Sequence, residues 1–296
     1  MRELVVISGK GGTGKTSIVA SFAALARDKV LADCDVDAAD LHLVLAPEIR
    51  RREAFVSGKV ARVDPEKCAV CGKCAEVCRF DAIAMDGPPS ECVGKTYRVD
   101  PISCEGCSVC VRFCPTDAIL FEDTVSGEWF VSDTRHGPMV HAKLGVAAEN
   151  SGKLVTLVRN RARELAEANG LDLVIADGAP GIGCPVIASI AGAALVLVVT
   201  EPTMSGRHDL ARVCALTEHF GAKTAVCINK CDLNPGVASE IEAEAGADGV
   251  PVLGRVRYDS AVTSAQVDGL SVVESGGGPA AQDIRMLWEH VSAELW

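Results

Sequence analysis

Aromatic side chains are scarce, only 4% of 296 residues, so the interior has to be packed from small and β-branched side chains of the kind that buried parallel sheets use. Basic residues are also in deficit, 29 Lys and Arg against 40 Asp and Glu, for a net charge of -11. A polyanion would approach against that field, which argues against nucleic acid as a ligand. No run of about 18 uncharged apolar residues, the length of a membrane span, occurs, and the first hydrophobic stretch, Leu4 to Ile7, is too short for a signal peptide. A cytoplasmic location is the expectation. What the chain does have is 48% hydrophobic content, enough for a sizeable core, and 14 cysteines. In a reducing compartment, clustered thiols signal metal or redox chemistry rather than a disulfide framework. Eight of them fall between Cys68 and Cys114, while Cys34, Cys92, Cys184, Cys214, Cys227 and Cys231 are scattered.

The pattern along the chain is that of an α/β protein. An apolar strand at Leu4–Ile7 runs through a glycine loop into a helical stretch, Ser17 to Ala26, and a second strand, Val30 to Ala32, runs into Asp33-Cys34-Asp35-Val36-Asp37. From about Pro47 to about Lys153 the sequence turns Cys-rich and loses its periodicity, which reads as an insertion. Beyond it, strands at Leu171–Ala176, Ala194–Thr200, Thr224–Ile228 and Val252–Val256 alternate with helical patterns at Val155–Ala168, Ser205–Phe220, Ala238–Ala245 and Gln282–Leu295. That alternation predicts right-handed βαβ units, hence a mainly parallel sheet. Ligands of such sheets sit at the carboxyl ends of the strands, where Gly9, Asp33 and Asp177 all fall.

Gly9-Lys10-Gly11-Gly12-Thr13-Gly14-Lys15-Thr16 fits the phosphate-loop pattern between a strand and a helix. The glycines and the helix start, including Ser17, bring backbone N–H groups to the phosphates, Lys15 reaches the β/γ oxygens, and Thr16 is placed to ligate magnesium. The additional Lys10 resembles the deviant Walker A motif of the MinD/ParA superfamily, to which Mrp-type carriers and the nitrogenase iron protein also belong. That resemblance implies ATP/ADP with Mg2+ and an ATP-dependent homodimer in which Lys10 reaches the other subunit's nucleotide. It also implies that Asp35 orients the attacking water, that Asp33 lies near the magnesium shell, and that Asp177 of Asp177-Gly178-Ala179-Pro180-Gly181 holds the ion. Asp40 stands where relatives often have Asn. Asn229 and Asp232, after the strand at Thr224–Ile228, resemble the family's adenine contacts, although Asn and Asp are ordinary turn residues as well.

The middle segment repeats itself at an offset of 36 residues: Arg62–Ile83 and Arg98–Ile119 share 11 of 22 positions, every cysteine among them. Cys68, Cys71, Cys74, Cys78 and Cys104, Cys107, Cys110, Cys114, Pro115 resemble the bacterial two-cluster ferredoxin run twice over. The resemblance implies two [4Fe-4S] clusters, one on Cys68, Cys71, Cys74 and Cys114, the other on Cys104, Cys107, Cys110 and Cys78. Zinc sites favour two separated C-x2-C pairs instead. Arg79 replaces the proline that usually follows the fourth cysteine, and a cation there favours a reduced cluster. Cys184, seven residues after Asp177, resembles a cluster ligand of the nitrogenase iron protein, but no second cysteine falls between Cys114 and Asp177, so a small buried residue is the expectation.

Taken together, the two resemblances imply an α/β fold: a mainly parallel P-loop NTPase sheet in residues 1–46 and 153–296, an inserted bacterial 2[4Fe-4S] ferredoxin-like domain in 60–122, and a connecting segment in 123–152. The expected activity is ATP binding and hydrolysis coupled to electron transfer to an unidentified redox or acceptor protein. An Mrp-like cluster carrier and a MinD-like positioning ATPase with redox-sensing clusters are the alternatives. The C-terminal helix carries Ile284, Leu287, Trp288, Val291 and Leu295 on one face but Arg285 as its only firm cation. A membrane-surface helix has a basic polar face, so docking on the sheet is expected and stable membrane attachment is not.

Overall fold

The computed structural model describes residues 1–145 and 152–296, and the chain divides into two units. The first holds residues 1–53, 129–144 and the described chain from 152 onward; the second holds 54–128 and Gly145. In chain order, β1 (Arg2–Ser8), α1 (Lys15–Leu25), β2 (Lys29–Asp33) and α2 (Leu41–Leu45) precede β3 (Glu48–Val63), which runs from the first unit into the second. The second unit adds α3 (Lys73–Glu76), β4 (Ile83–Gly87), β5 (Thr96–Val99) and α4 (Val109–Phe113), and β6 (Ile119–Thr134) returns to the first. There follow β7 (Gly137–Leu144), α5 (Lys153–Asn169), β8 (Leu173–Pro180), α6 (Cys184–Ile190), β9 (Leu195–Thr200), α7 (Met204–His219), β10 (Thr224–Asn229), α8 (Pro235–Ala247), β11 (Val252–Val256), α9 (Ser260–Val267) and α10 (Pro279–Leu295).

The strands lie in the order β11-β10-β9-β1-β8-β2-β7-β6-β3, and the pairs from β11 through β7 are parallel. Val6 and Asp33 both align with Asp177, which sets the ends of β1, β2 and β8 side by side. Close packing of β1 on β8 depends on Gly178, because a Cβ there would lie 2.6 Å from Ile7 Cγ2 and 3.0 Å from the Val6 carbonyl. Small and branched side chains fill the core as the composition predicts: Val5, Val30, Ala32, Val174, Val196 and Val198 are fully buried. Ile284, Leu287, Val291 and Leu295 of α10 join this core, so the C-terminal helix is docked on the sheet. Among the described residues no helix is long and apolar enough to cross a membrane.

The reading of the middle segment needs correction. Residues 48–63 and 119–144, read as an insertion and a connecting segment, are three strands of the main sheet, and residues 48–53 and 129–144 belong to the first unit. The last of that connecting segment, 146–151, lies outside the described residues. Charge concealed these strands. β3 is an edge strand whose Arg50 and Arg62 pair with Asp133 (2.7 Å) and Glu122 (2.7 Å) on β6, and such charges suit an exposed edge.

His141 on β7 is buried against Phe130, with ring centroids 4.9 Å apart, and its Nε2 lies 2.9 Å from the Ser132 hydroxyl. Burial, helped by His42, pushes its pKa down to about 4. An unfolded chain takes up this proton near pH 6.5, whereas the folded one resists until about 4, so stability falls as pH drops through that window. We expect wild type to lose about 3 kcal/mol more than His141→Gln between pH 7 and pH 4. Parallel urea midpoints for the two proteins across that range would disprove the assignment.

Candidate functional site

The phosphate loop wraps from Ser8 to α1 with Gly12 and Gly14 at φ of 79° and 87°, a left-handed geometry that favours glycine. A side chain on Gly14 would also collide with the Asn229 amide. Lys15 is almost completely buried, and its Nζ lies 2.9 Å from Asp177 Oδ1 and 3.0 Å from Asp35 Oδ2. Burial opposes its charge, but Asp177 and Asp35 more than offset that, and its pKa is raised. Asp35 is pushed up by burial despite Lys15, with Asp177 and Asp37 adding to the rise. Asp177 Oδ2 and Thr13 Oγ1 are buried without any hydrogen-bond partner. Buried polar atoms are rarely left unsatisfied, and these two belong to the phosphate loop and to the end of β8 beside it.

Asp33 is fully buried, and its carboxylate accepts the Asp35 N–H at 3.2 Å and the Leu41 N–H at 3.3 Å. It therefore pins both ends of the acidic loop. Burial and the nearby Asp177 hold its pKa well above the usual carboxylate range, against the pull of Lys15. Thr16 sits half-buried in the first turn of α1, and the Ser17 hydroxyl accepts from Gln266 at 2.9 Å.

Sequence reasoning missed the partner of Lys10. The Lys10 Nζ lies 2.8 Å from Glu201 Oε1 and donates to Ser205 Oγ at 3.0 Å and Thr203 Oγ1 at 3.3 Å. Glu201 also binds Lys230 at 3.1 Å, and Lys230 donates to the Gly12 carbonyl. Burial disfavours the Glu201 carboxylate, yet its two lysines hold its pKa below the usual range. The rule that ligands gather at strand ends would have pointed to Glu201, the residue after β9.

A cavity adjoins the loop, lined by Gly12, Gly14, Asn229, Lys230, Tyr258 and Gln266 among others. Asn229 lines it but spends its amide on the Thr13 carbonyl at 2.7 Å and its Oδ1 on the Lys230 N–H at 2.9 Å. It braces the phosphate loop. Asp232 is exposed, accepts the Tyr258 N–H at 2.7 Å, and is not part of the cavity wall.

Residues 4–272 match the family described as CbiA, the CobQ/CobB/MinD/ParA nucleotide binding domain. The chain belongs to this family. A relative 35% identical over 236 residues, 78% of this chain and 79% of its own length, is the uncharacterized protein MJ0578 of Methanocaldococcus jannaschii. Another uncharacterized protein of that organism, MJ0579, is 24% identical over 238 residues, 78% of this chain and 81% of its own. Among solved structures, the MinC:MinD cell division complex of Aquifex aeolicus matches with a TM-score of 0.59 at 16% identity, covering 99% of this chain and 96% of that one. MinD of Pyrococcus horikoshii complexed with Mg-ADP matches at 0.56 and 18% identity, covering 98% and 95%. These likenesses concern the fold, a CobQ/CobB/MinD/ParA α/β sheet.

The second unit has a small core of its own: Ala61, Val63, Cys74, Ile83, Cys110 and Ile119. Eight of its nine cysteines sort onto two cavities. One is lined by Cys68, Cys71, Cys74 and Cys114; the other by Cys104, Cys107, Cys110 and Cys78. The Cys114 sulfur accepts the Ala118 N–H at 3.3 Å. Burial raises its pKa, but N–H donors and the Thr116 hydroxyl outweigh that and hold the thiol below its usual range. Among the described residues no three His, Cys, Asp or Glu groups converge closely enough to hold one metal ion. Cys92 and Cys184 are exposed, the latter at the start of α6 and not buried as the sequence suggested. Cys34 and Cys227 are fully buried, and burial raises both thiols.

Proposed function

We propose that this chain binds and hydrolyses ATP, and that a nucleotide-dependent homodimer switch is coupled to electron transfer through two [4Fe-4S] clusters to a partner protein. The ATPase part corresponds to residues 1–46 and 153–296, extended by 48–53 and 129–144, and the ferredoxin-like part to 60–122. The observation that carries the reading is the sorting of eight cysteines into two sets of four, each taking three from one run and one from the other. That crossed arrangement is what the ferredoxin run produces, and it occurs in a chain whose other unit holds a phosphate loop.

At the nucleotide, Thr16 and Asp177 are the residues to hold magnesium, and the orphaned Asp177 Oδ2 suits an ion. Asp33 fits a supporting role, because both of its oxygens are taken by backbone N–H groups. When bound, the ion neutralises charge on the β- and γ-phosphate oxygens. Lys15 adds a fixed positive charge, and Asp35 is placed to orient water, which matters because phosphoryl transfer depends on placement and charge neutralisation. Lys10 has to leave Glu201 to reach a second subunit. A second reading, delivery of a cluster to an acceptor, is favoured by the exposure of Cys71 and Cys107.

The test is anaerobic purification followed by EPR of the dithionite-reduced full-length protein with and without Mg-ATP. A spectrum or reoxidation rate that changes with nucleotide is expected. Identical behaviour in both states ends the coupling, and clusters lost to a chelator and recovered on an apo-acceptor would favour delivery instead.

A further inference from the structure

The acidic loop Asp33–Asp40 leads into the single-turn helix α2, and α2 passes through Ala46 and Pro47 directly into β3. Its N-terminal end is held by Asp33, which accepts the Leu41 N–H. Its C-terminal end is held from elsewhere in the first unit. Arg135, in the turn between β6 and β7, donates from Nη1 to the Val44 carbonyl at 3.0 Å. The rest of that guanidinium is fully engaged: Nε with Glu274 Oε1 at 2.7 Å, and Nη2 with Glu274 Oε2 and the Gly269 carbonyl, each at 3.0 Å. Glu274 is fixed in turn by the Ser271 N–H and hydroxyl, at 2.9 and 2.6 Å, and by His136 at 2.8 Å.

We infer that Arg135 is a positioning residue for ATP hydrolysis, acting on the water-orienting Asp35 through α2. A planar guanidinium fork held bidentately by a carboxylate has one preferred geometry, so the third donor reaches the Val44 carbonyl from a fixed point. Two anchors then define the loop that carries Asp35, one at Asp33 and one at Arg135. Arg135 also stands where the chain arriving along β6 re-enters the sheet, while α2 feeds the chain departing along β3. Two of the places where the chain passes between the units, after Glu53 on β3 and before Trp129 on β6, therefore lie on strands joined to this clamp. The inference rests on the proposed function, in which Asp35 of the Asp33–Asp40 loop orients water, and it adds the residue that fixes that placement.

Full-length Arg135→Ala, Arg135→Lys and Glu274→Gln are compared with wild type for ATP turnover and for hydrogen exchange of the 34–41 backbone amides with and without Mg-ATP. Arg135→Ala should lose tenfold or more in kcat, with KM changed by less than about twofold, because binding stays with the phosphate loop and only placement suffers. Lysine lacks the planar fork and should restore little. Nucleotide-dependent protection of 34–41 should vanish in Arg135→Ala and weaken in Glu274→Gln. Should Arg135→Ala misfold, Glu274→Gln and Arg135→Lys carry the test. Full turnover with unchanged exchange overturns the inference. Asp35→Asn separates the two levels: if it is inactive while Arg135→Ala is fully active, only the clamp fails, and if both are fully active the reading of Asp33–Asp40 fails with it.

Discussion

Lys15→Ala is expected to lower ATP turnover by at least about 10^3-fold and to remove measurable binding of a fluorescent ATP analogue, since one preorganised charge at a reacting centre is worth about 10^2–10^3 in rate alone and Lys15 also contributes to ground-state binding. Its ammonium donates to both Asp35 and Asp177. Its removal also leaves two buried carboxylates facing each other beside Asp33, and breaking a buried pair by deleting one partner costs about 3–5 kcal/mol. Asp33 and Asp35 limit that cost by taking up protons, which their raised pKa values already favour. The variant should therefore fold but melt earlier. Lys15→Met, which keeps most of the stem, separates lost packing from lost charge. If either variant folds and hydrolyses ATP at the wild-type rate, the phosphate-loop assignment is wrong.

The apolar strands were legible because burial on both faces leaves an almost uninterrupted hydrophobic run, as in Leu4–Ile7 and Leu195–Thr200. The phosphate loop and the two cysteine runs were legible because their chemistry depends on spacing along the chain. β3 was not, because its alternation is one of charged side chains compensated across the strand pair by Asp133 and Glu122, which no local window contains. Glu201 was hidden for the same reason: it meets Lys10 only after β9 is laid beside β1. Asn229 was read in the right place but for a different task. An amide at a strand end has two hydrogen-bonding faces, and here the Thr13 carbonyl of the phosphate loop takes one and the neighbouring Lys230 N–H the other. Residue type and position limit what a side chain can bond, while three-dimensional packing decides what it does bond.

The crossed cysteine sets make the other large prediction. Cys114 follows the second run in sequence but lines the cavity of the first, with Cys68, Cys71 and Cys74, and Cys78 is displaced in the opposite sense. If each cavity holds one cubane, full-length protein should contain about eight iron and eight acid-labile sulfide, and Cys114→Ala about four of each. The pairing is tested by which cluster survives. Cys114→Ala and Cys68→Ala should leave the same reduced EPR spectrum, Cys78→Ala and Cys104→Ala should share the other, and the two spectra should sum to that of wild type. Uncrossed sets would instead group Cys114 with Cys104. The two signals should differ, because the first cavity sets Thr116 and Tyr97 where the repeat places Phe80 and Ala61 in the second. Cluster potentials respond to hydrogen bonds at sulfur, and the Cys114 sulfur has such a donor in Ala118 N–H. Cys92→Ser and Cys184→Ser should keep the full iron content, since neither side chain lines a cavity with the eight. Zinc without sulfide in the wild-type protein, or iron unaffected by Cys114→Ala, would remove the clusters from this chain and leave a nucleotide-binding protein with an unexplained cysteine unit.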